Sequence, residues 1–413
     1  KIARLREAMT KRGAAWHFVS TLDDVAWLLN LRGADVAYNP VFLAHALVGP
    51  SEIVLFVGEE KIAPELRARL AADGVRVAPY EDAKRALAAL PEGAKLLVDP
   101  GRVTLGLTES VPAHATIVEA ANPTVLFKAC KTEGEIAHVR KAMEQDGAAL
   151  AELFAWLEGA VARGERITEL TIDEQVCAAR ARRPGFVGPS FATIAGWNAN
   201  GAMPHYRATP ELHATIEGDG LLLVDSGGQY MGGTTDITRV VCIGALSPEQ
   251  KRDVTAVLKG MIQLSLARFP RGIRGGLLDS LARAPIWATL SDYGHGTGHG
   301  VGYYLAVHEG PQSISPGAAG LPHAILEPGM ITSNEPGIYR SGRWGVRIEN
   351  LVLTVPAGTS ELGEFLMSET LTLCPIDTRC IDAALLDARE RAWLDAYHAE
   401  VRARLLPHVE GEA

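Results

Sequence analysis

Apolar residues along this chain follow two spacings, and a change in how they are mixed divides it. Over the first 125 residues, stretches with apolar positions at helical intervals (2–10, 22–30 and 61–74) alternate with the short apolar runs AWHFVS, EIVLFVG and KLLVDP. That alternation predicts an α/β domain. No GxGxxG turn follows any of the runs, so dinucleotide binding has no support, and a structural or substrate-shaping role is expected. Near residue 130 the texture changes. Thr132 and Glu135 have the spacing of a capping box, and Ile136, Val139, Met143, Leu150, Phe154 and Leu157 recur behind them at helical intervals. The domain boundary is placed there, separating residues 1–128 from 129–413.

Downstream, two segments look alike. In LLLVDSGGQYMGGTTDITRVVCIG an apolar run ends in Asp225, glycines make a turn, and Asp236 opens a second apolar run eleven residues later. In MITSNEPGIYRSGRWGVRIENLVLTV, Glu335 and Glu349 take the same parts fourteen residues apart. Both predict β-hairpins with a carboxylate on either arm, and a tyrosine (Tyr230, Tyr339) soon after the first hints at an internal duplication. Leu394, Tyr397, Val401 and Leu405 then predict a closing amphipathic helix with Asp387 and Glu390 as its capping pair. Its apolar face needs a partner, and unless the helix packs within its own chain, a homodimer or larger assembly is expected.

Composition narrows the class. At 413 residues the chain exceeds what one hydrophobic core usually serves, and two domains or more are expected. It is 47% hydrophobic and 22% charged, with no apolar run approaching a membrane span of about eighteen residues. Forty basic against forty-nine acidic residues, with no basic block, argue against nucleic acid as a partner. Cys130, Cys177, Cys242, Cys374 and Cys380 are odd in number and form no CxxC pair, which suits a reducing, cytoplasmic address and disfavours a thiolate metal site. The chain opens at Lys1 on an amphipathic helix with no signal-peptide core, and is read as a fragment of a longer one.

The stretch HGTGHGVGYYLAVHEGP, residues 295–311, gathers His295, His299 and His308 among five glycines. The four-residue spacing of the first pair would suit a helix, but glycine at every second position costs about 1 kcal/mol each in one. Extended chain fits better: residues 295, 297 and 299 would share a face, and the glycines would let another backbone approach the opposite one. A single histidine of this kind reads as a buried, hydrogen-bonded side chain, a reading that a cluster of three weakens. The carboxylates on the two hairpins pose a related question. Asp and Glu beside apolar strand residues are costly to bury unless neutralised. Lysine or arginine could do so, but four carboxylates and an imidazole also make a shell for two divalent metals roughly 3.5–4 Å apart.

Taken together, VDSGGQYMGGTTDITR, HGTGHGVG followed by VHEGP, NEPGIY and GVRIEN resemble the successive signatures of aminopeptidase P, the Xaa-Pro aminopeptidase branch of the pita-bread metallopeptidases. The likeness covers roughly residues 130–413 and is nearest to the large cytosolic three-domain form. LDDVAWLLNLRGADVAYNPVF is similar to that form's middle domain, so its first domain is expected to be missing. The resemblance implies an α/β creatinase-like amino-terminal domain followed by an α+β pita-bread catalytic domain. It implies that Asp225 binds one metal, that His299 and Glu335 bind the other, and that Asp236 and Glu349 bridge both. Manganese(II) is the family's usual ion and suits an oxygen-rich shell; cobalt or zinc also fit. Thr238 and Arg347, two residues from Asp236 and Glu349, share their ligands' faces and are candidates to support them, though an ordinary strand surface explains both as well.

His295 and His308 are placed by the resemblance beside the metals without binding them, and His205, in NGAMPHY, near the bound proline. A metal-bridging hydroxide would attack the carbonyl before proline, Glu335 would move the proton, and His308 would steady the oxyanion. The expected substrates are peptides with proline second. A prolidase restricted to Xaa-Pro dipeptides shares the ligands and is the nearest alternative. A metal-free pita-bread binding module is a further one. A glycine-rich nucleotide site is set aside, because no GxxxxGK[ST] motif is present.

Overall fold

The short apolar runs of the amino-terminal segment lie in the middle of one sheet. In the computed structural model, which describes residues 1–409, six strands are ordered Val75–Ala78, Ile53–Val57, Ala44–Val48, Trp16–Val19, Lys95–Val98 and Thr116–Glu119. The outer pairings are parallel and the two around Ala44–Val48 antiparallel. Helices Ile2–Lys11, Leu22–Leu29 and Pro64–Ala72 connect or flank them. Every residue of Ile53–Val57 is buried, as a strand covered on both faces requires. Phe18, Phe56, Leu87 and Leu96 fill the core of this unit, which comprises Lys1–Lys128.

The second unit, Ala129–Ala413, is built differently. Its strands pair antiparallel throughout the described residues, and five helices of eight residues or more surround them. The helix Glu133–Ala162 starts in a complete capping box between Thr132 and Glu135. Both expected hairpins form. Gly220–Ser226 pairs with Ile237–Ile243, and Ile331–Asn334 pairs with Asn350–Ser360. Each encloses a second, smaller hairpin: Gly228–Tyr230 with Gly233–Thr234 in the first, Gly337–Arg340 with Trp344–Arg347 in the other. The likeness read between the two sequences is therefore also a likeness of construction, a hairpin within a hairpin.

The closing helix Ala388–Leu405 carries the expected Asp387–Glu390 capping box. Leu394, Tyr397, Val401 and Leu405 pack within their own chain, against Val254, Val257, Leu258 and Met261 of the helix Pro248–Ser265. That corrects the ground on which a homodimer was expected, because the apolar face is already covered. Tyr397 is pinned as well, its hydroxyl accepting from Arg239 Nη2 at 2.8 Å. Arg239 is itself buried and donates to the carbonyl of Glu349 at 2.6 Å and to Asn350 Oδ1 at 2.8 Å, so one guanidinium joins the first hairpin to the second.

Candidate metal centre

Antiparallel pairing brings the carboxylates of each hairpin to the same end. Asp225 lies opposite Thr238, while Asp236, Glu335 and Glu349 each stand next to a strand terminus, where backbone leaves the ladder and side chains point into an opening. The two ends face each other across a cavity of about 510 Å³ whose lining includes all five proposed ligands, with His205, His295 and His308. The strand Gly298–Gly300 delivers His299 between them. Glycine is needed there: a Cβ on Gly298 would lie 2.0 Å from the carbonyl oxygen of Ser333, and one on Gly300 2.3 Å from that of Glu309. Regular alternation is shorter than expected. It does not reach Thr297, whose hydroxyl turns away from the cavity to donate to the buried Asp279 at 2.7 Å.

Asp236, His299 and Glu349 offer ligand atoms all within 4.8 Å of one another. His299 Nε2 lies 3.5 Å from Asp236 Oδ2 and 3.4 Å from Glu335 Oε1. Its Nδ1 faces the carbonyl of Gly300 at 3.0 Å, which fixes a proton on Nδ1 and turns Nε2 toward the cavity. Asp225 sits further round, its Oδ2 held by Arg347 Nη2 at 2.5 Å. The supporting contacts run across the hairpins, not along them. Thr238 donates to Glu349 at 2.7 Å and not to Asp236; Arg347 holds Asp225 and not Glu349. Period-two spacing assigns a side chain its face, but the neighbour it meets there comes from the other hairpin.

The electrostatics report crowded anions. Burial, with the charges of Asp236, Glu335 and Asp225, pushes Glu349 well above the usual carboxylate range. Burial and Asp225 raise Asp236 too, and burial lifts Glu335 to about 7 against the pull of His299 and Arg347. Burial works against a charged His299, but Asp236 and Glu335 outweigh it and raise its pKa to about 9. His295 and His308 are instead pushed down to about 4 by burial, assisted at His308 by the charge of His299, and stand neutral at pH 7. Two buried oxygens, Asp225 Oδ1 and Glu349 Oε1, have no hydrogen-bond partner among the described residues. Buried acceptors of this kind are costly. A donor set of four carboxylates and one imidazole, with two of its oxygens orphaned, fits divalent cations.

His295 Nε2 and Tyr339 OH are 2.8 Å apart, and Arg347 Nη1 donates to the same hydroxyl at 2.7 Å. His308 meets His299 edge-on, with ring centroids 4.2 Å apart. His205 is exposed on the loop after Asn198–Ala202, beside Tyr206, whose hydroxyl donates to the buried Glu169. Several supporting residues escaped sequence reasoning. Ser333 donates to Glu335 Oε1 at 3.1 Å and accepts from the His299 amide at 2.9 Å. Arg283, on the helix Asp279–Trp287, donates to the carbonyls of Tyr293 and His295. Neither carries a motif, and the signal that could have found Arg283 is its four-residue spacing from Asp279 on a short helix before the histidines.

Residues 137–356 match the model of metallopeptidase family M24, residues 1–135 that of the Creatinase/Prolidase N-terminal domain, and residues 364–413 that of the C-terminal region of peptidase M24. A probable Xaa-Pro aminopeptidase P from Coprinopsis cinerea is 40% identical over 431 residues, covering 100% of this chain and 69% of that protein. The structure of an X-prolyl aminopeptidase from Caenorhabditis elegans, described as a cytosolic enzyme with a di-nuclear active site, superposes with a TM-score of 0.93 at 34% identity over 98% of this chain and 67% of that one. A prolidase from Pyrococcus horikoshii superposes with a TM-score of 0.69 at 25% identity over 91% and 99%. The chain spans about two thirds of the length of the curated relatives it matches. The expected fold, a creatinase-type domain followed by a pita-bread domain of mixed sheets and helices, is the one found.

Proposed function

We propose, from the premise that this chain belongs to metallopeptidase family M24, that it is an aminopeptidase releasing the first residue of peptides with proline second. The observation that carries the reading is the donor set itself, Asp225, Asp236, His299, Glu335 and Glu349 around one cavity with two carboxylate oxygens orphaned. Similarity over the whole chain to a protein named as an Xaa-Pro aminopeptidase supports the choice of substrate. These five side chains would hold two divalent ions, manganese(II) by the match of hard oxygen donors to a hard cation. The ions would supply the positive charge that polarises the first carbonyl and makes water acidic enough to attack at neutral pH.

The chain's own groups do the rest. Glu335 takes and returns the proton at Oε2, the oxygen 4.0 Å from His295 Nδ1. His308, neutral, offers an N–H to the oxygen on which charge develops. His205 and His295 present flat walls to the pyrrolidine ring, and Tyr339 holds His295 at its post. A tertiary Xaa-Pro amide has no N–H and a restricted shape, so a site built to read it gains from the bend that proline sets. Five free cysteines, and a relative described as cytosolic, support a cytoplasmic address. No helix among the described residues is long and apolar enough to cross a membrane. A homodimer is no longer supported by the closing helix, whose apolar face is covered, and rests on the habit of the resembled family alone.

The test compares Arg-Pro-Pro with Arg-Pro and Arg-Ala-Pro at equal metal loading. Cleavage of Arg-Pro-Pro, lost when its amine is acetylated and sharply reduced when alanine replaces proline, is expected. Cleavage of the dipeptide alone would make the chain a prolidase, and no cleavage by the manganese-loaded protein would leave it a binding module.

A further inference from the structure

The loop of residues 301–308 joins the strand that carries His299 to the strand Glu309–Ile314, and its last residue is His308. Its middle is anchored: the carbonyl of Leu305 accepts from Gln229 Nε2 at 2.8 Å and from Thr234 Oγ1 at 3.1 Å, both on the inner hairpin of the first carboxylate pair. Its base is closed by a residue outside every motif. Lys131, just before the capping box of the long helix, donates from Nζ to the carbonyl of Val301 at 2.6 Å and to Glu309 Oε1 at 2.6 Å. The two charged side chains are 0% and 1% exposed. Glu309 is drawn inward to Lys131, while His308, the residue immediately before it, lines the cavity.

We propose that Lys131 is a positioning residue for His308: its ammonium ties both ends of the 301–308 loop and so sets the imidazole against His299 and the reacting carbonyl. The inference rests on the peptidase reading above. A fully buried ion pair is weak evidence of stabilisation, because desolvation offsets most of its attraction, and a well-placed neutral pair often replaces it at little cost. The pair does, however, fix a geometry, and displacement of a reacting group by about 1 Å can cost 10²-fold in rate.

The double variant Lys131→Met/Glu309→Gln removes both charges together and leaves neither buried ion unpaired. With manganese supplied and Arg-Pro-Pro as substrate, it is expected to keep two metals per chain and a melting temperature near that of the parent, yet to lose about tenfold or more in kcat with little change in KM. His308→Ala is expected to cost 10²–10³-fold in the parent and less in the double variant, by the factor that the double variant has itself lost, since the group it removes is already displaced. A purely structural pair would leave the His308 cost the same in both backgrounds. Full additivity, or a double variant with the parent's kcat, overturns the inference. Should the double variant not fold, Lys131→Arg, which keeps both charges paired but changes the reach and geometry of the tie, carries the same comparison under the same criterion. A parent chain that turns over no proline peptide overturns both this inference and the reading beneath it, whereas parental turnover with additive costs overturns this inference alone.

Discussion

Glu169 offers a perturbation whose cost can be counted donor by donor. It is fully buried at the start of the helix Glu169–Ala181. Its Oε1 accepts from the Trp197 amide at 2.7 Å and from Asn200 Nδ2 at 3.0 Å; its Oε2 accepts from the Tyr206 hydroxyl and the Ala214 amide, each at 2.7 Å. Glu169→Gln keeps the volume but puts an NH₂ where one oxygen was. Whichever way the amide turns, that NH₂ meets a backbone N–H. The Tyr206 hydroxyl can rotate and accept, but the amide of Trp197 or Ala214 cannot. One buried donor is therefore stranded at about 1–3 kcal/mol, and the surviving bonds lose charge assistance worth about 1 kcal/mol in all. The sum is about 3 kcal/mol. With a urea slope of about 3 kcal/mol/M, the unfolding midpoint followed by circular dichroism should fall by about 1 M. Because the loop that Glu169 gathers carries His205, KM for Arg-Pro-Pro should rise more than kcat falls. A midpoint within about 0.2 M of the parent would refute the count. A large loss of stability with KM unchanged would refute the link to the loop.

Asp236→Ala should lose metal and activity together, measured by elemental analysis beside the peptide assay, and full activity with both metals retained would remove Asp236 from the site. Metal-free protein should become less stable as pH rises from 7 to 9, above the interval between about 4 and 6.5 in which the lowered His295 and His308 act in the opposite direction. The raised carboxyls of Glu335, Glu349 and Asp236 keep protons in the folded state that the unfolded chain releases near 4.5 for glutamate and 3.8 for aspartate, so stability falls as pH rises above those values, through about 7 for Glu335. His299, raised from 6.5 to about 9, stabilises fully below 6.5 and loses that contribution as pH climbs through 9, in the same direction. Added manganese should flatten the trend, and a metal-free melting temperature that rises with pH over this range would contradict it. Leu394→Ala, in the covered face of the closing helix, should cost about 2–5 kcal/mol independently of protein concentration, and a melting temperature that tracks concentration would bring the dimer back.

What could be read from the sequence was what is local. The Thr132–Glu135 and Asp387–Glu390 capping boxes, the long helix behind the first, and the arms of both hairpins each depend on residues within a few positions of one another. The five proposed ligands could be read because they belong to motifs. The inner hairpins could not, since GQYMGGT and GIYRSGRW read as turns, and neither could the exchange by which Thr238 serves Glu349 and Arg347 serves Asp225. Periodicity names a face and stays silent on what crosses to meet it. Lys131, Glu169 and Arg239 are buried charges whose main partners lie far along the chain, and nothing adjacent to them in sequence marks the burial; Arg283 alone has a nearby mark, Asp279 four residues before it.

The division of the site between two hairpins has a consequence in time. Thr238 and the Glu349 it supports are 111 residues apart. At a synthesis rate of about 5–20 residues per second, the first pair of carboxylates leaves the ribosome roughly 6–22 s before the second. During that interval Asp225 and Asp236 have neither Glu335 nor Glu349 to complete a shell, and a half-site of two aspartates competes poorly for any cation. The divalent ions that such a site would hold would then be acquired after both halves have docked, so that cation availability is sampled by a finished domain and not by the nascent chain.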